Sequence, residues 1–328
     1  MQHRPQLFYT TAPAPCPYLP DRTERKVLTE LAGPDAVALH NRLSQAGFRR
    51  SHAIAYAPVC VGCRACTPMR IPAATFAPTR TQKKIRSRHA GLVVNIVPPV
   101  PTDEQFRLFE MYQAVRHPDG DMAHMCWRDY AELIANTPVE TFLAEFRRPD
   151  GTLVCVSLID RLSDGLSAVY TFYDVNNLTA SWGTFSILWL IEETARMGLE
   201  HLYLGYYVPG SPKMAYKAAF GPAEVFRDGQ WSLLAGSTPP RKGGLYPVSW
   251  WGANPAAPPP PEAGLHGRLR PRRRLPGRPL APAGGIIPRL NGGMIPLQLL
   301  RSIHCGAARP TAPRRPSSGA RSAVARTR

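Results

Sequence analysis

The chain has 328 residues, 44% of them hydrophobic, with 40 Lys and Arg against 23 Asp and Glu and a formal net charge of +17. That length and apolar content suffice for two ordinary domains, or for one with a long appendage. The charge excludes an acidic solvating protein and favours a polyanionic partner; no apolar run is long enough to cross a bilayer and no signal peptide opens the chain, so a cytoplasmic protein without membrane contact is expected.

In chain order, residues 1–92 are irregular, basic and cysteine-bearing. Helical spacing of Ala36, Leu39, Leu43 and Ala46 predicts one helix from Asp35 to Gly47. Val93–Val97 reads as a strand, and Pro98, Pro99 and Pro101 mark a boundary. Thr102 with Gln105 three residues on is a capping box, starting a helix that runs through Phe106, Phe109 and Tyr112 to about Arg116. A short helix follows at Trp127–Ala135. Strands are predicted at Glu140–Phe146, Leu153–Arg161 and Ser167–Asp174, joined by hairpin signals at Asp150-Gly151 and Asp164-Gly165. A long helix at Ala180–Gly198, a strand at His201–Tyr207, a helix at Ser211–Phe220 and a strand or hairpin over Glu224–Leu234 complete the order.

Two antiparallel hairpins followed by strand, helix and strand match a GNAT-like acyltransferase layout. The expected fold class is α+β: an N-terminal cysteine-containing domain (1–97), a GNAT-like mixed-sheet acyltransferase domain (98–252) and a disordered C-terminal tail (253–328). From Pro255 onward the chain has 14 Arg, no Lys, one acid (Glu262), 14 of the 36 prolines and no aromatic residue. Such a segment cannot offset its ordering entropy by burial. It reads either as an Arg-rich arm that touches nucleic acid or as a non-functional or frameshifted extension. CoA is not expected, because Asn177–Thr184, where a phosphate loop would lie, contains a single glycine, Gly183. A nucleophile elbow, a phosphate-binding P-loop and a zinc-protease motif are also absent from the sequence.

Cys60-Val61-Gly62-Cys63-Arg64-Ala65-Cys66 brings three thiols within seven residues, and Cys16 is the natural fourth. Four thiolates suit tetrahedral zinc or an Fe–S cluster; the alternative is a set of reduced structural cysteines. Cys126 and Cys155 read as core residues. Arg22, Arg25, Arg49, Arg50, Arg70, Lys83 and Lys84 lie around the cysteines in sequence, and with their basic neighbours could form one phosphate-binding face or a merely solvated one. Farther on, three polar-aromatic clusters fall at element ends: Tyr112 with Arg116-His117 and Asp119; Tyr170 with Tyr173-Asp174; and Tyr203, Tyr206 and Tyr207 with Lys213, Tyr216 and Lys217. In a mixed sheet, strand ends face one cleft.

The segments Phe8-Tyr9-Thr10-Thr11, Pro15-Cys16-Pro17-Tyr18, Gly47-Phe48-Arg49-Arg50-Ser51, Arg116-His117, Tyr170 to Asp174, Leu202 to Tyr206 and Lys213-Met214 with Tyr216-Lys217, together with the cysteine triplet, resemble the bacterial aspartate/glutamate leucyltransferases. These belong to the aminoacyl-tRNA–protein transferases, which include the arginyltransferases. The resemblance covers roughly residues 1–252. It departs at Val175, Trp182 and Tyr207, and Trp182 is expected to enlarge a site near the cleft. It implies transfer of leucine from Leu-tRNA to proteins with N-terminal Asp or Glu, making an N-degron, with arginine transfer or a non-catalytic metal-stabilised RNA-binding module as the alternatives. The chemistry then needs no cofactor, since the ester is already activated. Arg116, Lys213 or Lys217 would meet the acceptor carboxylate. Tyr170, Asp174 and Tyr206 would orient the amine or the terminal adenosine, and His117 or Asp174 would act as base. The cysteines resemble the arginyltransferases' metal- or cluster-binding set.

Overall fold

Hairpins, capping boxes and one parallel crossover set the architecture seen in a computed structural model, which describes residues 5–237. The predicted tail lies outside the described residues. In chain order the strands are β1 (Tyr9–Thr10), β2 (Ala14–Pro15), β3 (Thr23–Glu24), β4 (Lys26–Glu30), β5 (Arg49–Ser51), β6 (Ile54–Pro58), β7 (Thr67–Pro72), β8 (Val93–Val97), β9 (Thr141–Arg147), β10 (Leu153–Arg161), β11 (Gly165–Tyr173), β12 (His201–Tyr207), β13 (Glu224–Arg227) and β14 (Gln230–Leu233). The helices are α1 (Ala36–Gln45), α2 (Arg80–Arg88), α3 (Asp103–Arg116), α4 (Trp127–Ala135) and α5 (Trp182–Arg196).

The α3 start is the predicted capping box: the Thr102 hydroxyl accepts from the Gln105 backbone N–H, and the Gln105 side chain accepts from the Thr102 N–H. Thr79 and Gln82 cap α2 in the same way. The predicted helix at Ser211–Phe220 is instead a short 3-10 turn over Ala215–Ala219.

An eight-stranded mixed sheet runs in the order β14-β13-β7-β12-β11-β10-β9-β8. Strands β7 and β8, from before Pro98, are members of it. A four-stranded sheet (β1-β4-β6-β5) and the pair β2-β3 carry the N-terminal segment. The central strand β10 is buried at eight consecutive positions, because both faces of the large sheet are covered. On one face α2 and α5 pack through Ile85, Phe185, Leu188 and Ile191 against Phe146, Val154 and Leu202. On the other, α3 and α4 pack through Leu108, Phe109, Tyr130 and Leu133 against Leu143, Val156, Leu158 and Phe172.

The parallel pairing of β11 with β12 extends only from Gly165↔His201 to Ser167↔Tyr203. Past that point the two strands part. Each carries a bulge there. Val169 has no partner between Ala168↔Ile159 and Tyr170↔Leu158, and Leu204 has none between Tyr203↔Arg70 and Gly205↔Met69. The resulting fork is where the small N-terminal sheet is keyed in.

Candidate active site

Arg49 and Arg50 are neighbours on β5, and period-two alternation sends them different ways. The Arg50 guanidinium is buried and donates to both carboxylate oxygens of Asp160 on β10, at 2.6 and 2.7 Å. His40 lies 3.5 Å from the same carboxylate, and the Thr141 hydroxyl donates to it. Burial pulls the His40 pKa down. Arg50 is therefore a structural clamp rather than part of a phosphate-binding face.

Arg49 enters the fork. Its Nη2 donates to the Ala168 and Val169 carbonyls, both at 2.9 Å, and its Nη1 to the Leu204 carbonyl at 3.2 Å. Val169 and Leu204 are the residues that the bulges leave without a register partner, and Ala168 precedes the first of them. Gly205 makes room: it sits at φ +70°, and a Cβ there would collide with the guanidinium.

The Lys217 ammonium reaches the same place, donating to the Leu204 and Tyr206 carbonyls at 2.8 Å each. Burial first, then the adjacent Arg49 charge, brings its pKa down to about 7. The expectation that Lys217 meets an acceptor carboxylate directly is thus corrected, because the side chain is buried and turned onto backbone carbonyls. Arg70 is also committed internally, to Glu224 at 2.7 Å and to the face of Trp231 at 4.3 Å.

The first two predicted polar-aromatic clusters touch, and Lys213 and Tyr216 of the third act on them electrostatically. The Tyr112 hydroxyl lies 3.3 Å from His117 Nε2, and its ring is 4.8 Å from that of Tyr173. Burial, then Tyr170 and Tyr173, raise the Tyr112 pKa. Gln113 Nε2 donates to the Tyr170 hydroxyl at 2.7 Å, and burial pushes that phenol up to about 12. His117 closes α3, with exposed Arg116 beside it. Burial, then the charges of Lys213 and Arg116, lower its pKa, so the imidazole is neutral near pH 7. Gln113 was not singled out by the sequence. It is buried and its Oε1 has no hydrogen-bond partner among the described residues.

Other predicted residues lie elsewhere. Asp174 accepts from Arg148 at 3.2 Å and twice from Asn176, so its carboxylate is already engaged. Tyr206 is buried, with its hydroxyl donating to the Tyr56 carbonyl at 3.1 Å. Trp182 does not enlarge the site; it is buried in the core, stacked on His89 at 4.2 Å. Arg22 and Arg25 are exposed near the cysteines, and Lys83 and Lys84 are exposed on α2.

Cys16, Cys60, Cys63 and Cys66 line one small cavity of about 60 Å³, whose wall includes Tyr18, Tyr56 and Tyr206. Burial, then the three other thiols, push Cys66 up to about 11. Four thiols are a soft-metal donor set. Yet among the described residues no three His, Cys, Asp or Glu side chains stand in an arrangement that holds a metal ion. The donor chemistry fits and the four thiols face one cavity, but no chemical step is routed through it. Cys155 is buried in the core as expected, and Cys126 is half-buried at the start of α4.

Comparison with known proteins adds the following. The family model described as "Arginine-tRNA-protein transferase, N terminus" matches residues 14–84, and "Arginine-tRNA-protein transferase, C terminus" matches residues 104–227. A protein of Gluconobacter oxydans named aspartate/glutamate leucyltransferase is 96% identical over 239 residues, 73% of this chain and 100% of that one. One of the same name from Gluconacetobacter diazotrophicus is 55% identical over 245 residues, 75% of this chain and 94% of that one. Among solved structures, L-PGS from Bacillus licheniformis is similar over 46% of this chain and 50% of its own at 12% identity, with a TM-score of 0.37, too slight a likeness to bear on function.

Proposed function

The chain belongs to the family of the aspartate/glutamate leucyltransferases, within the arginine-tRNA-protein transferases, and on that premise we propose that it moves leucine from Leu-tRNA to the α-amino group of proteins beginning with Asp or Glu. The observation that carries the chemistry is a neutral histidine at the mouth of a tyrosine cluster. His117 can take a proton from the acceptor's ammonium. The freed amine attacks the leucyl ester carbon, forming the C–N bond. The ester C–O bond then breaks, and the ribose oxygen leaves with a proton. The tetrahedral oxyanion needs a donor, and Tyr170 suits it: its oxygen accepts from Gln113, which leaves the phenol proton free to point elsewhere. The ester is activated beforehand, so neither ATP nor CoA enters.

Arg116 and Lys213 are exposed beside His117 and suit the tRNA's terminal phosphates or the acceptor backbone. Arg22, Arg25, Lys83 and Lys84 suit phosphates farther along the tRNA. Hairpins followed by a parallel crossover support reading the mixed sheet as GNAT-like. The four thiols support, by donor chemistry alone, a structural zinc ion or Fe–S cluster in the N-terminal segment. An acceptor tagged with leucine would be an N-degron, and the tRNA donor points to the cytoplasm.

The test separates catalysis from simple RNA binding. His117→Ala and Tyr170→Phe should each lose most of the labelled product while holding Leu-tRNA within a few-fold of the parent. Unchanged transfer in both would remove these role assignments.

A further inference from the structure

Buried or half-buried cations in this protein come with carboxylates. Arg50 has Asp160, Arg70 has Glu224, Arg86 has Glu192, and Arg147 has Glu104 and Glu145. Arg49 and Lys217 are exceptions. Neither forms an ion pair among the described residues, and both converge on the Leu204 carbonyl. Carbonyl dipoles solvate them without neutralising them, so the fork holds the Arg49 charge, a second one when Lys217 is protonated, and no fixed negative one among the described residues. Buried charges are ordinarily paired, and an unpaired couple is poised for an anion. The depressed Lys217 pKa, caused by burial and by Arg49, reports the same imbalance.

The two cations divide the task. Lys217 is sealed in. Arg49 stays partly exposed, and its three hydrogen bonds leave two of the five N–H groups of a guanidinium unengaged. The fork also borders the tyrosine cluster, since Tyr216 feels both Tyr173 and Arg49 electrostatically. We propose that the fork between β11 and β12 is an anion-binding subsite in which Arg49 touches the side-chain carboxylate of the acceptor's first residue, with Lys217 as the charge behind it. This rests on the leucyl-transfer reading above.

A phosphodiester of the tRNA could satisfy the same charge, but rigidity and depth favour the carboxylate. Any exposed lysine can meet a phosphate. Telling Asp from Asn needs a fixed cation, because the carboxylate is charged and only accepts hydrogen bonds whereas the amide is neutral and also donates. Arg49, held by three carbonyls from two strands, is pre-organised for that task; Arg116 and Lys213 are exposed.

Two measurements test it on the full chain. Arg49→Gln should lower kcat/KM for an Asp-starting peptide about 100-fold, the loss expected of a charge-assisted contact. An otherwise identical Asn-starting peptide should be little affected, and Leu-tRNA affinity should stay within about threefold. Arg49→Lys should restore part of the Asp preference. Equal loss on both peptides, unchanged discrimination, or a fall in tRNA affinity alone would overturn the proposal. The second measurement uses the unaltered protein, so folding of a variant is not at issue. Phenylglyoxal, which modifies accessible guanidinium groups, should label Arg49 in the free enzyme, as read by peptide mass spectrometry. The Asp peptide should protect it and the Asn peptide should not. No labelling of the free enzyme, or protection by deacylated tRNA instead, would contradict the assignment. If the parent moves no leucine to the Asp peptide, the leucyl-transfer reading itself has failed. If it moves leucine but Arg49 is neither protected nor needed for discrimination, only this inference has.

Discussion

Replacing Gly205 with Ala should act on the fork through a single methyl group. The residue sits at φ +70°, where an L side chain costs about 1–2 kcal/mol. Its Cβ would also overlap the Arg49 guanidinium, so that side chain must leave or the strand must shift. Either way, charge-assisted bonds to Ala168, Val169 and Leu204 are weakened. Each is worth about 1.5–3 kcal/mol, so losing even one brings the total to roughly 2.5–5 kcal/mol. Once Arg49 has been cut to Ala, the same glycine substitution should cost only the backbone part, about 1–2 kcal/mol. The assay is a double-mutant cycle by urea unfolding over the parent, Gly205→Ala, Arg49→Ala and the pair. A coupling of about 2 kcal/mol is expected, well above the roughly 0.5 kcal/mol within which independent sites add. Additive effects within that margin would refute the claim that Gly205 exists to seat Arg49.

Other outcomes follow from the same geometry. Arg50→Ala leaves Asp160 charged and buried, and should destabilise by about 3–5 kcal/mol, whereas Arg50→Met with Asp160→Leu should recover most of that; thermal melts of the three proteins check it. Lys217 has a folded pKa of about 7, below its ordinary value, so the unfolded chain holds more protons between about pH 7 and 10. Stability should therefore rise with pH across that window, by up to roughly 1.4 kcal/mol per unit from this group. Urea midpoints from pH 7 to 9 should show a smaller rise in Lys217→Met than in the parent. His117 is lowered by burial and nearby cations, so its share of the rate should be lost only as pH falls below the ordinary histidine range, and be regained as pH rises. Single-turnover transfer rates across pH 5 to 8 in the parent and His117→Ala read that limb.

The elements that periodicity foresaw are those with a clear apolar stripe or an explicit cap. Helix α4, β10 and β12 have the predicted bounds, and the Thr102 box forms in both halves. Helix α2 escaped because Gln82 and Ile85 are its buried positions, too few to make a stripe, although its Thr79 box was present in the chain. The N-terminal strands of two to five residues are too short to show alternation. The bulges at Val169 and Leu204 interrupt the period of two at the point where the site is built. Composition marked Arg49 and Arg50 as surface charge, because their partners lie more than 100 residues away. Likewise nothing local says that Lys217 turns inward, or that Gln113 reaches Tyr170. The tyrosines and His117 were visible because they cluster at element ends, and the family was visible because its segments recur in order.

The central claim is the transfer itself. Purified protein would be incubated with leucine-labelled Leu-tRNA, and separately with arginine-labelled Arg-tRNA, and offered peptides that begin with Asp, Glu or Lys. Labelled leucine on the Asp and Glu peptides, with none on the Lys peptide and none from Arg-tRNA, is the expected result. Arginine on those peptides would reassign the donor, and no transfer from either tRNA while tRNA remains bound would contradict the catalytic account.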